Sequence, residues 1–157
     1  MSLEELLRSK VIRRIRPDYN LALKATRRSI RDIDTAKTLI ANKKFDWALA
    51  VSYNAMLSAG RALMFNEGYR PSSSDGHVAV VKFLQATLDV EVSNRMIMIF
   101  NEMRKKRHRI VYEEMDIVSE DEARRMVRWA EEFVKMISGV IRQKANQNRG
   151  SHKRIEK

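Results

Sequence analysis

The sequence predicts an all-α protein, an up-and-down bundle of four to five main helices with a short N-terminal helix ahead of it. Three observations carry that expectation. Only two prolines and five glycines occur in 157 residues, against an abundance of Ala, Leu, Met, Glu, Lys and Arg, which lose little in forming a helix. Apolar residues recur every three or four positions rather than every two. Short polar stretches separate these runs, so consecutive helices lie side by side. At 157 residues and 44% hydrophobic content, the chain is long enough for one domain with a genuine core.

The elements follow in order. Ser2-Leu3-Glu4-Glu5 is a capping-box pattern that starts a first helix from Leu3 to about Ile15. Pro17 interrupts it and suits the first turn of a second helix, whose apolar stripe is Ala22, Ala25, Ser29, Ile33, Ala36 and Ile40 and whose end falls near Asn42-Lys43-Lys44. A third helix, Phe45 to about Asn66, is apolar nearly all round. Its face of Ala48, Val51, Ser52, Ala55, Ala59 and Ala62 admits a close neighbour, so it belongs at the centre of the bundle or at an oligomer interface. Gly68 is its stop signal. The stretch from Tyr69 to Gly76 is dense in turn formers and reads as a loop. A fourth helix follows from His77 to about Leu88, and a fifth from about Glu91 to between His108 and Tyr112. Ser119-Glu120-Asp121-Glu122 is a second capping box, opening a sixth helix with its stripe at Ala123, Met126, Val127, Ala130, Phe133, Val134, Ile137, Val140 and Ile141. Residues 1–16 are thus expected as an accessory helix, 17–142 as the bundle, and 143–157 as a basic, disordered tail.

Charge narrows the function. The net charge is +11, concentrated in three places: five basic and two acidic residues in 1–16, five and one in 101–112, and six and one in 142–157. A polyanion is the natural partner of such clusters. The absence of cysteine excludes disulfides and thiolate chemistry. No apolar run reaches the roughly 18 residues of a membrane span, and the opening MSLEELLRSK is too charged for a secretory signal, so a cytoplasmic setting is expected. Three scattered histidines show no metal-ligand spacing, and no glycine-rich phosphate loop exists, so neither a metal nor another cofactor is expected.

One residue breaks the pattern. In Met96 to Val111 the apolar positions are Met96, Phe100, Met103, Ile110 and Val111, and Arg107 falls in the middle of that stripe at about 100° per residue. A guanidinium keeps its proton there, so it must meet a carboxylate, a polar cleft or a bound anion. Asp46, Glu67, Glu113 and Asp116 are the carboxylates considered within the chain. Tyr112 lies five positions on, about 140° away on a regular helix. It shares a site with Arg107 only if the helix ends or bends first. A second set, Asn101, Arg104, His108 and Tyr112, lines one side of a regular helix, which also describes a solvated polar face. Tyr53 and Asn54 are expected to contact the fifth helix or to satisfy one another. His77, after Gly76, is expected to cap or pack, and Trp47 and Trp129 to pack.

The order of these features is similar to a known family. Phe45-Asp46-Trp47-Ala48, Ser52-Tyr53-Asn54-Ala55-Met56, Ala59-Gly60-Arg61-Ala62-Leu63-Met64, Gly68-Tyr69 and Gly76-His77 resemble the central helices of HEPN domains. Met103 to Tyr112 looks like that family's arginine motif, and Ala123 to Ile141 like its last helix. The resemblance covers about residues 18–142. It implies a dimeric helical bundle with the arginine facing a cleft near the dimer interface. Many members are ribonucleases of toxin–antitoxin and defence systems, often paired with a small nucleotidyltransferase. Their motif is an arginine, four to six residues, then histidine. Arg107 matches the arginine, but Tyr112 stands after four intervening residues, and His108 follows too soon to fill the spacing. This arginine-then-tyrosine arrangement resembles a subgroup of doubtful nuclease activity.

Chemistry gives that departure its weight. A tyrosine is only about 0.1% ionised at pH 7 and makes a poor general base. A histidine would be mostly available. The leading expectation is therefore a protein that binds RNA or nucleotide phosphate through Arg107, with Arg104, Lys105, Lys106 and Arg109 on phosphates, as a homodimer or beside a nucleotidyltransferase. The alternatives are a metal-independent endoribonuclease using Arg107 with His108 or Tyr112, and a non-catalytic protein-interaction module.

Overall fold

A computed structural model of the chain describes residues 1–73 and 76–155, with side chains described as far as Gln147. Six helices dominate: α1 (Leu3–Arg8), α2 (Tyr19–Ala41), α3 (Phe45–Glu67), α4 (His77–Thr87), α5 (Val90–Tyr112) and α6 (Glu120–Ile155). The fold is all-α, as the periodicity predicts. Two three-residue strands, β1 (Ile12–Arg14) and β2 (Tyr69–Pro71), pair antiparallel.

Local chemistry sets the boundaries. The Ser2–Glu5 capping box closes in both directions around the start of α1. Asp18 caps α2 by accepting from Leu21 N at 2.9 Å. Gly68 ends α3 in the left-handed conformation at φ 88°, and a Cβ there would stand 3.0 Å from the Ile15 carbonyl oxygen. Ser119 Oγ accepts from Glu122 N at 3.1 Å at the start of α6.

The core forms where α3 packs against α2, α6, α5 and α4. The expected stripes of α2 and α6 are buried, apart from Ala25 and Val140, which are half-buried. α3 is central because its alanines permit close approach and its larger residues, Leu49, Met56, Leu63 and Met64, fill the space between its neighbours. Gly60 marks the tightest point, where a Cβ would meet Val80 Cγ1 at 2.4 Å, so α4 lies directly against the α3 backbone.

The N-terminal segment departs from expectation. The first helix stops at Arg8 rather than near Ile15, and Lys10 adopts φ 58° to turn the chain. A helix of six residues has little stability of its own. Val11 to Ile15 places Ile12 inward, fully buried, with Arg13 and Arg14 exposed, and finds its backbone partners on β2 and its flanks. Ser72 N donates to the Val11 carbonyl and Ile15 N to that of Gly68. The expected loop at Tyr69 therefore begins as a strand. Ser74 and Asp75, from the same stretch, lie outside the described residues. Leu6 and Ile12 join the main core, so the segment is integral to the bundle.

α6 continues to Ile155, past the end of its apolar stripe at Ile141. No proline interrupts it, and Lys144 forms an ion pair with Glu67 of α3. The expectation of a disordered tail falls on these helical residues and, for 156–157, outside those described. None of the described helices is long and apolar enough to cross a membrane.

Candidate functional site

Tyr53 is the hub of the site. It sits on the buried face of α3, only 1% exposed, with Phe100 of α5 against it edge-on at 6.2 Å between ring centres. Its hydroxyl forms a 2.6 Å hydrogen bond with His77 Nδ1 at the start of α4. The Arg107 guanidinium carbon lies 5.7 Å from the centre of the same ring, within reach of the aromatic face. The phenol thus joins three elements and holds a histidine and an arginine close to one ring.

A cleft of about 230 Å³ opens beside Tyr53, between α4 and α5. Tyr53, Ile97, Phe100 and Val81 form its floor, and Lys82, His77, Asn101 and Arg104 supply its polar groups. None of its described lining residues is acidic. This balance of apolar floor and cationic rim suits a flat, negatively charged ligand.

Arg107 is half-buried. Its Nε is buried and lacks a hydrogen-bond partner among the described residues. None of the expected carboxylates pairs with it among the described residues. Asp46, in the first turn of α3, accepts from Asp116 N at 2.7 Å and Val118 N at 3.0 Å and so pins the α5–α6 linker. Glu67 pairs with Lys144, and Glu113 faces His108 at 3.9 Å. Asp116 is exposed in the linker, at φ 56°. An in-chain ion pair for Arg107 is therefore corrected: among the described residues its neighbour is an aromatic ring.

The other basic residues divide. Lys106 pairs with Glu122 at 3.4 Å and Arg109 with Glu114 at 2.7 Å. Arg104 and Lys105 are exposed, and no ion pair joins them to a carboxylate among the described residues.

His108 and Tyr112 stand together but away from Arg107. Their rings are 4.9 Å apart on the outer side of α5, and Tyr112 is 71% exposed. α5 remains a regular helix through Tyr112, so the break needed to turn that tyrosine toward Arg107 is missing. Asn101 and Arg104, earlier on the same side, line the cleft. Asn54 is exposed, next to buried Tyr53. Trp47 is not packed as expected: it is 55% exposed beside a cavity of about 560 Å³, with Val111 and Met115 around it. Trp129 carries Arg95 over its ring at 4.2 Å.

Lys82 and Gln85 line the cleft as well, although the sequence reading does not single them out. Their signal is present: Val78, Val81, Lys82 and Gln85 share one face of α4 at helical spacing. Among the described residues no group of three or more His, Cys, Asp or Glu could hold a metal ion.

The HEPN domain model matches residues 22–140, well over half of the chain. That span contains Tyr53, His77 and Arg107 and leaves out α1, β1 and the last part of α6. No curated protein matches the chain.

Proposed function

Because the chain belongs to the HEPN domain family, we propose that it binds RNA or nucleotide phosphate at the Tyr53–His77–Arg107 cluster. One observation carries this reading: a half-buried guanidinium over a buried ring, its Nε without a partner among the described residues. An unanswered buried donor costs about 1–3 kcal/mol, and a phosphate oxygen would answer it. Arg104, one turn earlier, borders the cleft that opens beside Tyr53, and Lys105 adds charge beside it. Lys106 and Arg109 already have carboxylates and contribute less.

A metal-independent ribonuclease ranks second. Cleavage requires a base at the 2′-hydroxyl and an acid at the leaving oxygen, beside a cation for the phosphorane. His108 and Tyr112 touch each other rather than Arg107, which favours binding over catalysis within one chain. A protein-interaction role is favoured by a separate observation: Trp47, Val111 and Met115 are exposed around one cavity. That face suits a second copy of the chain or a nucleotidyltransferase partner, in a toxin–antitoxin or defence pair.

The test is fluorescence anisotropy with a labelled single-stranded RNA across a salt series. Affinity should fall linearly in log–log form with salt as counterions are released. Binding that ignores salt, or that survives Arg107→Ala unchanged, removes the reading. Total RNA incubated in EDTA tests the nuclease; cleavage that Arg107→Ala does not abolish comes from elsewhere.

A further inference from the structure

The β-ribbon carries an arrangement that the cleft does not explain. Arg13 and Arg70 are directly opposite each other in the antiparallel register. Both are exposed, and neither has an ion pair with a carboxylate among the described residues. Like charges at facing positions destabilise a strand pair. The ribbon nonetheless holds them there, because its other face is anchored: Ile12 is buried, and Arg14 lies over the Tyr69 ring at 5.5 Å. Two neighbouring strands thus present two arginines on one side, with Cβ atoms at facing positions about 5 Å apart, close enough for both guanidinium forks to take one phosphate.

The ribbon also adjoins the cleft. A Cβ on Gly76 would meet Pro71 Cγ at 2.9 Å and Arg61 Nη2 at 3.3 Å, so the end of β2 touches the residue before His77. Arg70 and His77 are then within about 15 Å of each other along this path. Arg13 lies outside the family-matched span, so the pair extends the site beyond it.

We propose that Arg13 and Arg70 form a second phosphate clamp, holding the backbone of an RNA strand at a phosphate apart from the one that occupies the Arg107 cluster. This inference rests on the RNA-binding reading above.

Charge reversal tests it in the full chain. Arg70→Glu places a carboxylate opposite Arg13 and converts the facing repulsion into an ion pair. The melting temperature should hold or rise, while affinity for a labelled single-stranded RNA of about 12 nucleotides falls. The slope of log K against log salt should shrink by about 0.7, for the one phosphate that the pair holds. The double variant Arg13→Gln/Arg70→Gln should lose the same slope without the new pair. If both variants keep wild-type affinity and slope while Arg107→Ala weakens binding, the clamp is overturned and the cleft reading stands. If wild type shows no salt-dependent RNA binding, the cleft reading itself fails. A lower melting temperature for Arg70→Glu means that the two arginines do not face each other, which also overturns the clamp. So does a loss confined to vesicles of anionic phospholipid, with RNA binding intact.

Discussion

Along α5, the same stripe is treated in two ways. Its upstream part, Met96, Phe100 and Met103, is buried against the bundle, with Phe100 wedged between the rings of Tyr53 and Phe133. Its downstream part begins at Arg107 and ends with Val111 exposed. In the seam of α2, α3 and α6, polar groups are answered locally: Ser29 and Ser52 each donate to a carbonyl of their own helix at 2.7 Å. Downstream on α5, the Arg107 Nε is not answered by any described residue. Burial with complete pairing is how a region supplies stability, while an open donor at the edge of a packed core is how a region keeps a place for a ligand.

The first way to break this contrast is to damage the upstream half. Phe100→Ala removes a fully buried ring and leaves a cavity, so it should cost about 3–5 kcal/mol in urea unfolding. RNA affinity, measured where the variant is folded, should also fall, because Phe100 supports the Tyr53 ring. Gly60→Ala attacks the same core from the opposite direction. Its methyl would meet Val80 Cγ1 at 2.4 Å, and the overpacking should cost about 1–3 kcal/mol. A Gly60→Ala variant as stable as wild type would show that α4 is free to move off α3.

The downstream half should respond in the reverse sense. Arg107→Met completes the apolar stripe, so stability should hold or rise by about 1 kcal/mol as an unanswered donor gives way to a hydrophobic side chain. RNA affinity should drop at least about tenfold, or roughly 1.4 kcal/mol. A large loss of stability would instead mean that Arg107 completes a structural contact, and the two halves of α5 would then be alike.

How much of this is legible in the sequence depends on the range of each interaction. The stripes of α2, α3 and α6 are readable because burial enforces one period over many turns. Arg107 is readable for the same reason, as an exception within a period. Its neighbour is not: Tyr53 meets it only after α3 and α5 pack together, and Trp47 gives no sign in the sequence that its side remains open. The β-ribbon is hidden because three-residue strands carry too little alternation, and their pairing joins Ile12 to Pro71 across most of the N-terminal half. The separation of Tyr112 from Arg107 follows from helix geometry alone, provided that α5 stays regular, and it does.

The smallest expected effect lies in the answered region and is visible in pH. Lys37 of α2 donates to Glu131 Oε1 of α6 at 3.0 Å, and Lys135 stands 3.4 Å from the same oxygen. The Lys37 hydrogen bond is the main cause that holds the Glu131 carboxyl below its ordinary range, with desolvation opposing it. A carboxyl lowered in the folded state adds stability above its unfolded pKa, near 4.3, and loses it as pH falls through the lower folded value. Lys37→Ala should therefore cost about 0.2–1 kcal/mol at pH 7, since the pair is partly exposed and screened by solvent. The gap between variant and wild type should close below about pH 4 and shrink in high salt. Arg107→Met should open no such window of its own, because a guanidinium keeps its charge throughout that range. Urea unfolding at about pH 7, 4.5 and 3 brackets that carboxylate range and distinguishes the two behaviours. An Arg107→Met difference that itself vanished in acid would reveal a carboxylate partner for the arginine and erase the contrast between the two regions.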